Sequence, residues 1–312
     1  MNTQKKKDKP VLQLFVTGFF MGMADLIPGV SGGTVAFISG IYEELLISIR
    51  KVSGEVVKLL LQLKVKEAIA AIPLRFLVPL FAGIFTAVLS LANLLGYLLE
   101  TYPSFVWSFF FGLVIASTWI VAKRVKIWKM QDIFSFALFL IVGYVVVGAV
   151  PVETPSNLPM YFLSGMIAIC AMILPGISGS FILLILGKYS QVLDAVREVN
   201  ITVLLAVASG CVVGLAIFSR FLSWLFAKYH DISVAALSGF MLGSVRKLWP
   251  WQEVIETRIN SHGEVVALAT RNILPSHVDP TVLGIVALIA FGVAIVLYID
   301  RLDLVKEEHL AK

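Results

Sequence analysis

The stretch Pro28-Gly29-Val30-Ser31-Gly32-Gly33-Thr34 interrupts an apolar segment that extends from residue 11 to residue 49. Pro28 has no backbone N–H and therefore ends the helix before it. Nearly the same break recurs as Pro175-Gly176-Ile177-Ser178-Gly179-Ser180. At membrane depth, non-helical backbone is tolerated only where it is buried in protein or lines a water-filled cavity. The paired breaks therefore indicate a special site in the chain.

The residues after each break can restart a helix, with Ser31 or Thr34 placed to cap the first one. A helix N-terminus presents free N–H groups and a partial positive charge, which attract anions. Discontinuous helices that meet near the bilayer midplane form the substrate site of many repeat-built transporters. The alternative is a kink of small residues that serves helix packing. The substrate-binding residues predicted at the breaks are Ser31, Gly32, Gly33, Thr34, Ser178, Gly179 and Ser180.

The composition is typical of a membrane protein with several spans. Of the 312 residues, 59% are hydrophobic and 14% are charged, and the mean hydropathy is +0.92, which excludes an ordinary soluble protein. Cys170 and Cys211 lie in apolar segments, and the four histidines show no metal-ligand spacing. The sequence therefore predicts no disulfide, metal or cofactor. The net charge of +5 is interpreted as membrane topology, and no nucleic-acid partner is predicted.

The predicted fold class is an all-α polytopic membrane protein with two inverted-topology repeats, each containing a broken helix pair. The broken pairs are 11–27 with 34–49 and 161–174 with 181–196. Each pair could be two short spans, but a re-entrant hairpin is the preferred interpretation. About six full spans accompany the two hairpins. These spans are predicted at 76–99, 105–122, 133–150, 199–227, 232–248 and 281–299.

The connecting segments determine the predicted orientation. Residues 50–72 carry lysines among apolar residues, which indicates an amphipathic surface helix or a solvated connector. Residues 250–280 are interpreted as a polar loop. With the N-terminus inside, the inner segments hold 18 Lys and Arg residues and the outer segments hold six. The positive-inside rule therefore places both termini in the cytoplasm and residues 151–159 outside.

The repeat relation rests on residues that match at a fixed spacing. A shift of 147 aligns the two breaks and, beyond them, Gly40-Ile41-Tyr42 with Gly187-Lys188-Tyr189; a shift of 127 aligns Gly83 with Gly210 and Gly112 with Gly239. Chance matching of small residues is the alternative. The predicted division is one membrane domain, 1–312. It contains inverted repeat 1 at 11–129, a connecting span at 130–157, inverted repeat 2 at 158–250 and a final span at 281–300.

Two stretches carry a resemblance to a known family. GMADLIPGVSGGTVAFISGIYEEL (22–45) and ILPGISGSFILLILGKY (173–189) resemble the signature stretches of the bacterial polyprenyl-phosphate (undecaprenyl-phosphate) translocases of the PopT type, formerly a domain of unknown function. The resemblance implies a transporter in the bacterial inner membrane whose partner is a polyprenyl phosphate lipid. It also implies that undecaprenyl phosphate returns from the outer to the inner leaflet, for reuse in cell-envelope synthesis.

Two charged residues inside apolar segments are further candidates. Arg220 interrupts the predicted span 199–227, where a cation is costly and therefore a functional candidate. Its guanidinium could bind a lipid phosphate through two hydrogen bonds, or it could reach the inner interface along its own stem. Asp25 precedes the first break, where it could carry a coupling proton or cap backbone N–H groups of the loop.

Two other functions stay open beside the transporter, which is not expected to be an enzyme. Undecaprenyl-pyrophosphate phosphatases also use paired Pro-Gly-x-Ser motifs, but their motif continues with an arginine where this chain has Gly32 and Gly179. An anion channel or exchanger could use the same half-helix N-termini. The coupling ion, the preferred lipid and the oligomeric state do not follow from the sequence.

Overall fold

The structure is a computed structural model that describes residues 9–27, 31–149, 151–152, 154–259, 265–275, 277 and 279–311. Pro28, Gly29 and Val30 of the first break therefore lie outside the described residues. The α-helices are α1 (Val11–Asp25), α2 (Gly32–Ile38), α3 (Tyr42–Lys51), α4 (Val57–Leu61), α5 (Val65–Ala71), α6 (Leu74–Thr101), α7 (Pro103–Ala122), α8 (Met130–Val147), α9 (Leu158–Ile173), α10 (Gly179–Ile185), α11 (Tyr189–Arg197), α12 (Ile201–Lys228), α13 (His230–Ser244) and α14 (Pro280–Ala311).

Among the described residues, five helices are long and apolar enough to cross a membrane, namely α6, α7, α8, α12 and α14. Only 11% of the apolar window of α12 is buried inside the protein, which leaves the rest of that helix for contact with lipid. The chain is therefore a multi-pass membrane protein. The prediction of about six full spans lies within the range of five to seven, where the upper value counts each bent helix pair as one span. At 232–248, the α-helix α13 has 15 residues. It continues as a short 3-10 helix, Val245–Leu248.

Helices α1 and α2 form a first hairpin, and α9 and α10 form a second. At the open end of the first hairpin, the Lys9 ammonium donates to the carbonyl of Ser39. At the open end of the second, Val152 N donates to Ile185 O at 2.7 Å. We call residues 25–27 with 31–34 the first tip and residues 172–180 the second tip, each including the adjoining ends of its two helices.

The helix that returns from each tip is short, which corrects the predicted arms 34–49 and 181–196. Helix α2 meets α3 at a bend of 118°, and α10 meets α11 at a bend of 109°. The cause is a glycine with positive φ after each short helix, +65° at Gly40 and +64° at Gly187. Such a glycine ends a helix with hydrogen bonds that close its last turn, here Ile41 N to Ala36 O at 3.0 Å and Lys188 N to Leu183 O at 2.8 Å.

The segment after α3 is more broken than the single amphipathic helix predicted for residues 50–72. A π-helical stretch, Val52–Val56, joins α3 to α4. Leu63 then has a φ of +59°, which ends the helical run before α5 begins.

Glycines bring four pairs of long helices into backbone contact. A Cβ at Gly18 or Gly83 would collide with the partner backbone between α1 and α6, and one at Gly165 or Gly210 would do the same between α9 and α12. These four positions match at the spacings found in the sequence. Glycines also join α7 to α14 and α8 to α13. The matched contacts agree with a repeat, while the inverted relation stays a prediction.

Residues 250–280 contain two strands in place of the predicted polar loop. Strand β1 (Gln252–Ile259) pairs antiparallel with β2 (Val265–Asn272). The mixed charges of Gln252–Ile259 hide any regular alternation of apolar and polar residues, so the sequence pattern does not reveal strand β1. This β-hairpin follows the 3-10 helix directly, and Gln252 and Asn272 of the two strands donate hydrogen bonds to backbone carbonyls of that helix.

Candidate functional site

The first tip is capped by its own side chains. Gly32 N donates to Asp25 Oδ1 at 2.7 Å, and Gly33 N donates to Ser31 Oγ at 3.1 Å. The start of α2 is thus already bonded to protein at these two donors, although the sequence predicted free N–H groups there. Asp25 therefore caps a backbone N–H group of the break, which is one of the two roles predicted for it. Its carboxylate also offsets part of the positive charge at the N-terminus of α2.

The second tip lacks these caps. Met172 stands where the first repeat has Asp25. The side chain of Ser178 makes no cap hydrogen bond to α10; its Oγ instead lies 2.7 Å from Ser180 Oγ. Gly179 is buried, and a Cβ there would lie 2.9 Å from Ala168 O. The two tips match in sequence but differ in chemistry, and the second keeps a pair of hydroxyls bonded to each other.

The two tips meet and hydrogen-bond to each other. Ser31 Oγ donates to Met172 O at 3.2 Å, and Gly176 N donates to Thr34 Oγ1 at 3.0 Å. Just beyond the bend, the Tyr42 hydroxyl donates to Ile173 O at 3.1 Å. The structure therefore brings Ser31 and Thr34 of the first break, with Tyr42, against residues 172–176 at the second break; we call this set of hydrogen bonds the tip contact.

Close backbone approach supports the tip contact. A Cβ on Gly33 would lie 2.8 Å from Ile173 O. Gly176 has a φ of +92°, and a Cβ there would lie 2.7 Å from Ser244 Oγ at the end of α13. The second tip is thereby held between the first tip and α13. These positions leave no room for a larger side chain without separating the helices.

The two hairpins have cations at their open ends. Arg124 donates to Ile38 O at 2.9 Å at the open end of the first hairpin. At the open end of the second, Lys188 is fully buried, with 0% exposure, and donates to Thr154 O at 2.8 Å. Its ammonium also lies 3.2 Å from Gln191 Oε1. Local sequence patterns do not predict the complete burial of a lysine at this bend.

One charged cavity lies at the start of α13. It has a volume of about 440 Å³ and is lined by Lys126, Lys129, Lys228, Asp132 and His230, among others. Asp132 Oδ2 accepts from Lys129 N at 2.9 Å. Within the described part of the chain, its buried Oδ1 has no hydrogen-bond partner. This cavity is predominantly basic.

His230 at this end of α13 connects two helices. Its Nε2 lies 3.6 Å from Glu43 Oε1 on α3, and its Nδ1 lies 3.1 Å from Asp231 Oδ1. The nearby Glu43 carboxylate raises the pKa of His230 above its ordinary value, and this effect exceeds the lowering caused by partial burial. Protonation of His230 therefore strengthens the link between α3 and α13.

A second cavity lies at the other end of α13 and has a volume of about 510 Å³. Its wall is largely apolar, and Arg246 lines it beside the β-hairpin residues Arg271 and Asn272. The charge count places Arg246 and Lys247 among the outer Lys and Arg residues. Their position at the end of an apolar run, with only Leu248 between them and Trp249-Pro250-Trp251, is the signal that could distinguish them.

Arg220 lies away from the tip contact. Its side chain is exposed, and a Cβ on Gly54 in the π-helical stretch would lie 3.2 Å from its Nη2. Among the hydrogen bonds of the described residues, none joins Arg220 to either tip. The structure thus joins Ser31 and Thr34 of the first break to backbone atoms at the second break and joins Asp25 to Gly32, but it does not add Arg220 to them. In the same described part of the chain, no group of three or more His, Cys, Asp or Glu residues is placed to hold a metal ion.

Comparison with known proteins gives a consistent result. The sequence model of a family described as undecaprenyl phosphate translocase-like matches residues 21–266. A polyprenyl-phosphate transporter of Vibrio cholerae serotype O1 is 43% identical over 301 residues, which cover 93% of this chain and 96% of the relative. A polyprenyl-phosphate transporter of Staphylococcus aureus is 33% identical over 254 residues, covering 75% and 84%. No solved structure matches the chain significantly.

Proposed function

The chain belongs to the undecaprenyl phosphate translocase-like family, and on that premise we propose that it transports polyprenyl phosphate between the leaflets of a membrane. Both relatives described above are named polyprenyl-phosphate transporters. The proposed direction is from the outer to the inner leaflet of the bacterial cytoplasmic membrane. This direction returns the carrier lipid to the side where it is loaded again.

The tip contact is the observation that carries this proposal. Two helical hairpins meet through three hydrogen bonds between Ser31, Thr34 and Tyr42 on one side and residues 172–176 on the other. Irregular backbone inside a membrane protein is expected where it lines a substrate path. A joint between two hairpins can close the path toward one face while it opens toward the other.

The hydroxyls of Ser178 and Ser180 are the proposed phosphate contacts at the joint. They lie 2.7 Å apart and bond to each other, so an arriving phosphate can accept both of their protons in hydrogen bonds. At the first tip, Ser31, Gly32, Gly33 and Thr34 are instead proposed to hold the joint, because their polar groups already have protein partners. Arg220 is retained as a candidate ligand of the phosphate during its exit.

Asp25 is proposed to couple transport to protons. Its carboxylate accepts from Gly32 N at 2.7 Å, so it stabilises the start of α2 when it is charged. Protonation weakens that charge-assisted bond and loosens the first tip. A proton gradient could in this way bias the joint between its two states.

The orientation is supported by the distribution of cations. The open end of the first hairpin carries Lys9 and Arg124, and the cavity at the start of α13 carries three lysines. The predominance of cations at this end fits a cytoplasmic location. We therefore propose that both termini are cytoplasmic and that the two repeats, 11–129 and 158–250, have opposite orientations.

Reconstitution into liposomes tests the function. Purified protein is expected to remove a fluorescent short-chain polyprenyl phosphate from the outer leaflet faster than empty liposomes do, and a pH gradient is expected to change the rate. Two further readouts separate the alternatives. Release of inorganic phosphate from a polyprenyl pyrophosphate would identify a phosphatase. Chloride flux without lipid movement would identify an anion channel. Either result, without lipid transfer, would overturn the proposal.

A further inference from the structure

We propose that Arg246 and Lys247 form a loading site for the phosphomonoester headgroup of the lipid, in the cavity at the end of α13. Arg246 is proposed to bind the headgroup as it enters the cavity, and Lys247 to receive it on the way to the second tip. This inference rests on the proposed function and names where the substrate first binds. It assigns roles to two residues that lie outside both breaks.

The two cations are consecutive and partly buried in the 3-10 helix Val245–Leu248. Arg246 Nη1 donates to Tyr144 O at 3.3 Å, and its guanidinium lies 4.3 Å from the centre of the Tyr144 ring. The Lys247 ammonium lies 5.5 Å from the centre of the Phe181 ring. Among the described residues, no ion pair joins either cation to a carboxylate. Two adjacent, half-buried positive charges without such a partner are costly, and an anionic ligand offsets that cost.

The β-hairpin holds this segment in place. Gln252 Nε2 at the start of β1 donates to Lys247 O and Trp249 O, each at 2.9 Å. Asn272 Nδ2 at the end of β2 donates to Arg246 O at 2.9 Å. The carbonyl groups of the 3-10 helix are thus fixed from outside, so the two cationic side chains start from a rigid backbone. A site of this kind loses little entropy when a ligand binds.

The two cations face different neighbours. Arg246 lines the cavity of about 510 Å³, whereas Lys247 lies beside Phe181 in the first turn of α10. Ser180 precedes Phe181 in that turn, and Ser178 comes two residues earlier. Lys247 is therefore the proposed next contact of a phosphate that moves from Arg246 toward the hydroxyl pair of the second tip.

The wall of the cavity fits an anion attached to an apolar chain. One side carries Arg246 and the polar hairpin residues, and Arg271 on that side pairs with Glu253 at 2.8 Å. The other side is apolar and is formed by Phe111, Leu140, Leu242, Val245 and Trp249. Leu242 and Tyr144 are 37% and 50% exposed, so the cavity is bordered by surface that lipid can reach. A guanidinium is suited to phosphate because it can donate two parallel hydrogen bonds.

The orientation of the chain makes this pair unusual. In the proposed topology, the end of α13 faces outward, where Lys and Arg are disfavoured near membrane helices. Their presence and partial burial at that end therefore need a cause other than topology. Capture of a lipid phosphate from the outer leaflet supplies that cause.

Binding measurements on purified full-length variants test the loading site. Short-chain polyprenyl phosphate is titrated against the wild type, Arg246→Gln, Arg246→Lys and Lys247→Gln. The control is Arg197→Gln, which removes an exposed cation from α11. The Nη1 atom of Arg197 lies 3.8 Å from Asp194 Oδ1. We expect the Kd to rise about tenfold or more in both Gln variants, with partial recovery in Arg246→Lys and no change in the control. Thermal unfolding of each variant confirms that the proteins compared are folded.

Each outcome decides one claim. A wild-type Kd in both Gln variants would overturn the loading site and leave the transporter intact, provided that lipid transfer is observed. Absence of any binding or transfer by the wild type would overturn the proposed function as well. Inorganic phosphate is the second probe. If it binds as tightly as the lipid, the site serves soluble phosphate and the lipid assignment is wrong; much weaker binding supports the role of the apolar wall.

Discussion

Replacing Gly33 by Ala perturbs the tip contact at a single atom. The new Cβ would lie 2.8 Å from Ile173 O, whereas an ordinary contact starts at 3.4 Å. The two tips must therefore separate by about 0.6 Å, because the opposing atom belongs to the backbone and cannot rotate away. Two neighbouring hydrogen bonds, from Ser31 to Met172 O and from Tyr42 to Ile173 O, are stretched by the same movement.

A matched control separates this contact from helix propensity. Gly96 lies in α6 and has no atom within 4 Å of a built Cβ. Ala is favoured over Gly by about 1 kcal/mol in a helix interior such as that around Gly96, whereas Gly33 lies in the first turn of α2, to which this value does not apply. Overpacking costs about 1–3 kcal/mol. The free energy of unfolding of Gly33→Ala should therefore be about 1–3 kcal/mol lower than that of Gly96→Ala. If the protein stays folded by opening the tip contact, the closed joint should be destabilised by the same amount.

The assay is lipid transfer in liposomes together with thermal unfolding in detergent. If the closed joint is one of the two working states, a loss of about 1.4 kcal/mol slows transfer about tenfold. We expect Gly96→Ala to transfer lipid at the wild-type rate. Equal stability and equal transfer rates in the two variants would refute the role of the tip contact.

Three further predictions concern charged side chains. Asp25→Asn keeps an acceptor for Gly32 N, so it should fold normally but lose the dependence of transfer on a pH gradient; a retained dependence would assign Asp25 to capping alone. The pKa of His230 is raised in the folded state. Its contribution to folding stability is therefore present below about pH 6.5 and is lost as the pH rises. The stability difference between wild type and His230→Gln should therefore be larger at pH 6 than at pH 9, by at most about 1 kcal/mol because the pair with Glu43 is exposed. If the guanidinium of Arg220 binds phosphate, Arg220→Gln should slow transfer and Arg220→Lys should restore it only in part. Equal transfer rates in Arg220→Lys and the wild type would instead identify Arg220 as a cation that only reaches the interface.

The sequence predicts the hairpins well because helix breakers act locally. Pro175 and the glycines after it end a helix whatever its tertiary surroundings. The second break lies at the predicted position, because α9 ends at Ile173 and α10 begins at Gly179. The contact between Ser31 and Met172, 141 residues apart, is tertiary. It depends on how the two hairpins pack against each other, which local helix breakers do not determine.

The bends after α2 and α10 were missed for a different reason. A single glycine inside an apolar run weakens a helix by only about 1 kcal/mol, so Gly40 and Gly187 did not stand out. Their matching positions were noted as evidence of a repeat. The physical meaning, a positive φ that ends both helices, becomes visible only in the backbone angles.

The basic pair at the end of α13 shows the limit of composition. Arg246 and Lys247 were counted as outer loop charges because a mixed-charge segment follows them. The segment forms a β-hairpin whose Gln252 and Asn272 hold the 3-10 helix. This arrangement depends on strand pairing between residues that lie far apart in sequence, which local patterns do not determine.

The central claim, that a lipid phosphate reaches the joint between the two tips, is tested most directly by protection of a cysteine at the second tip. Ser180→Cys is placed in a protein that lacks Cys170 and Cys211, and its labelling by a thiol reagent is timed in liposomes. Saturating short-chain polyprenyl phosphate should slow labelling strongly, while the matching polyprenol, which lacks the phosphate, should not. Equal labelling rates with polyprenyl phosphate, with polyprenol and without lipid would contradict the claim.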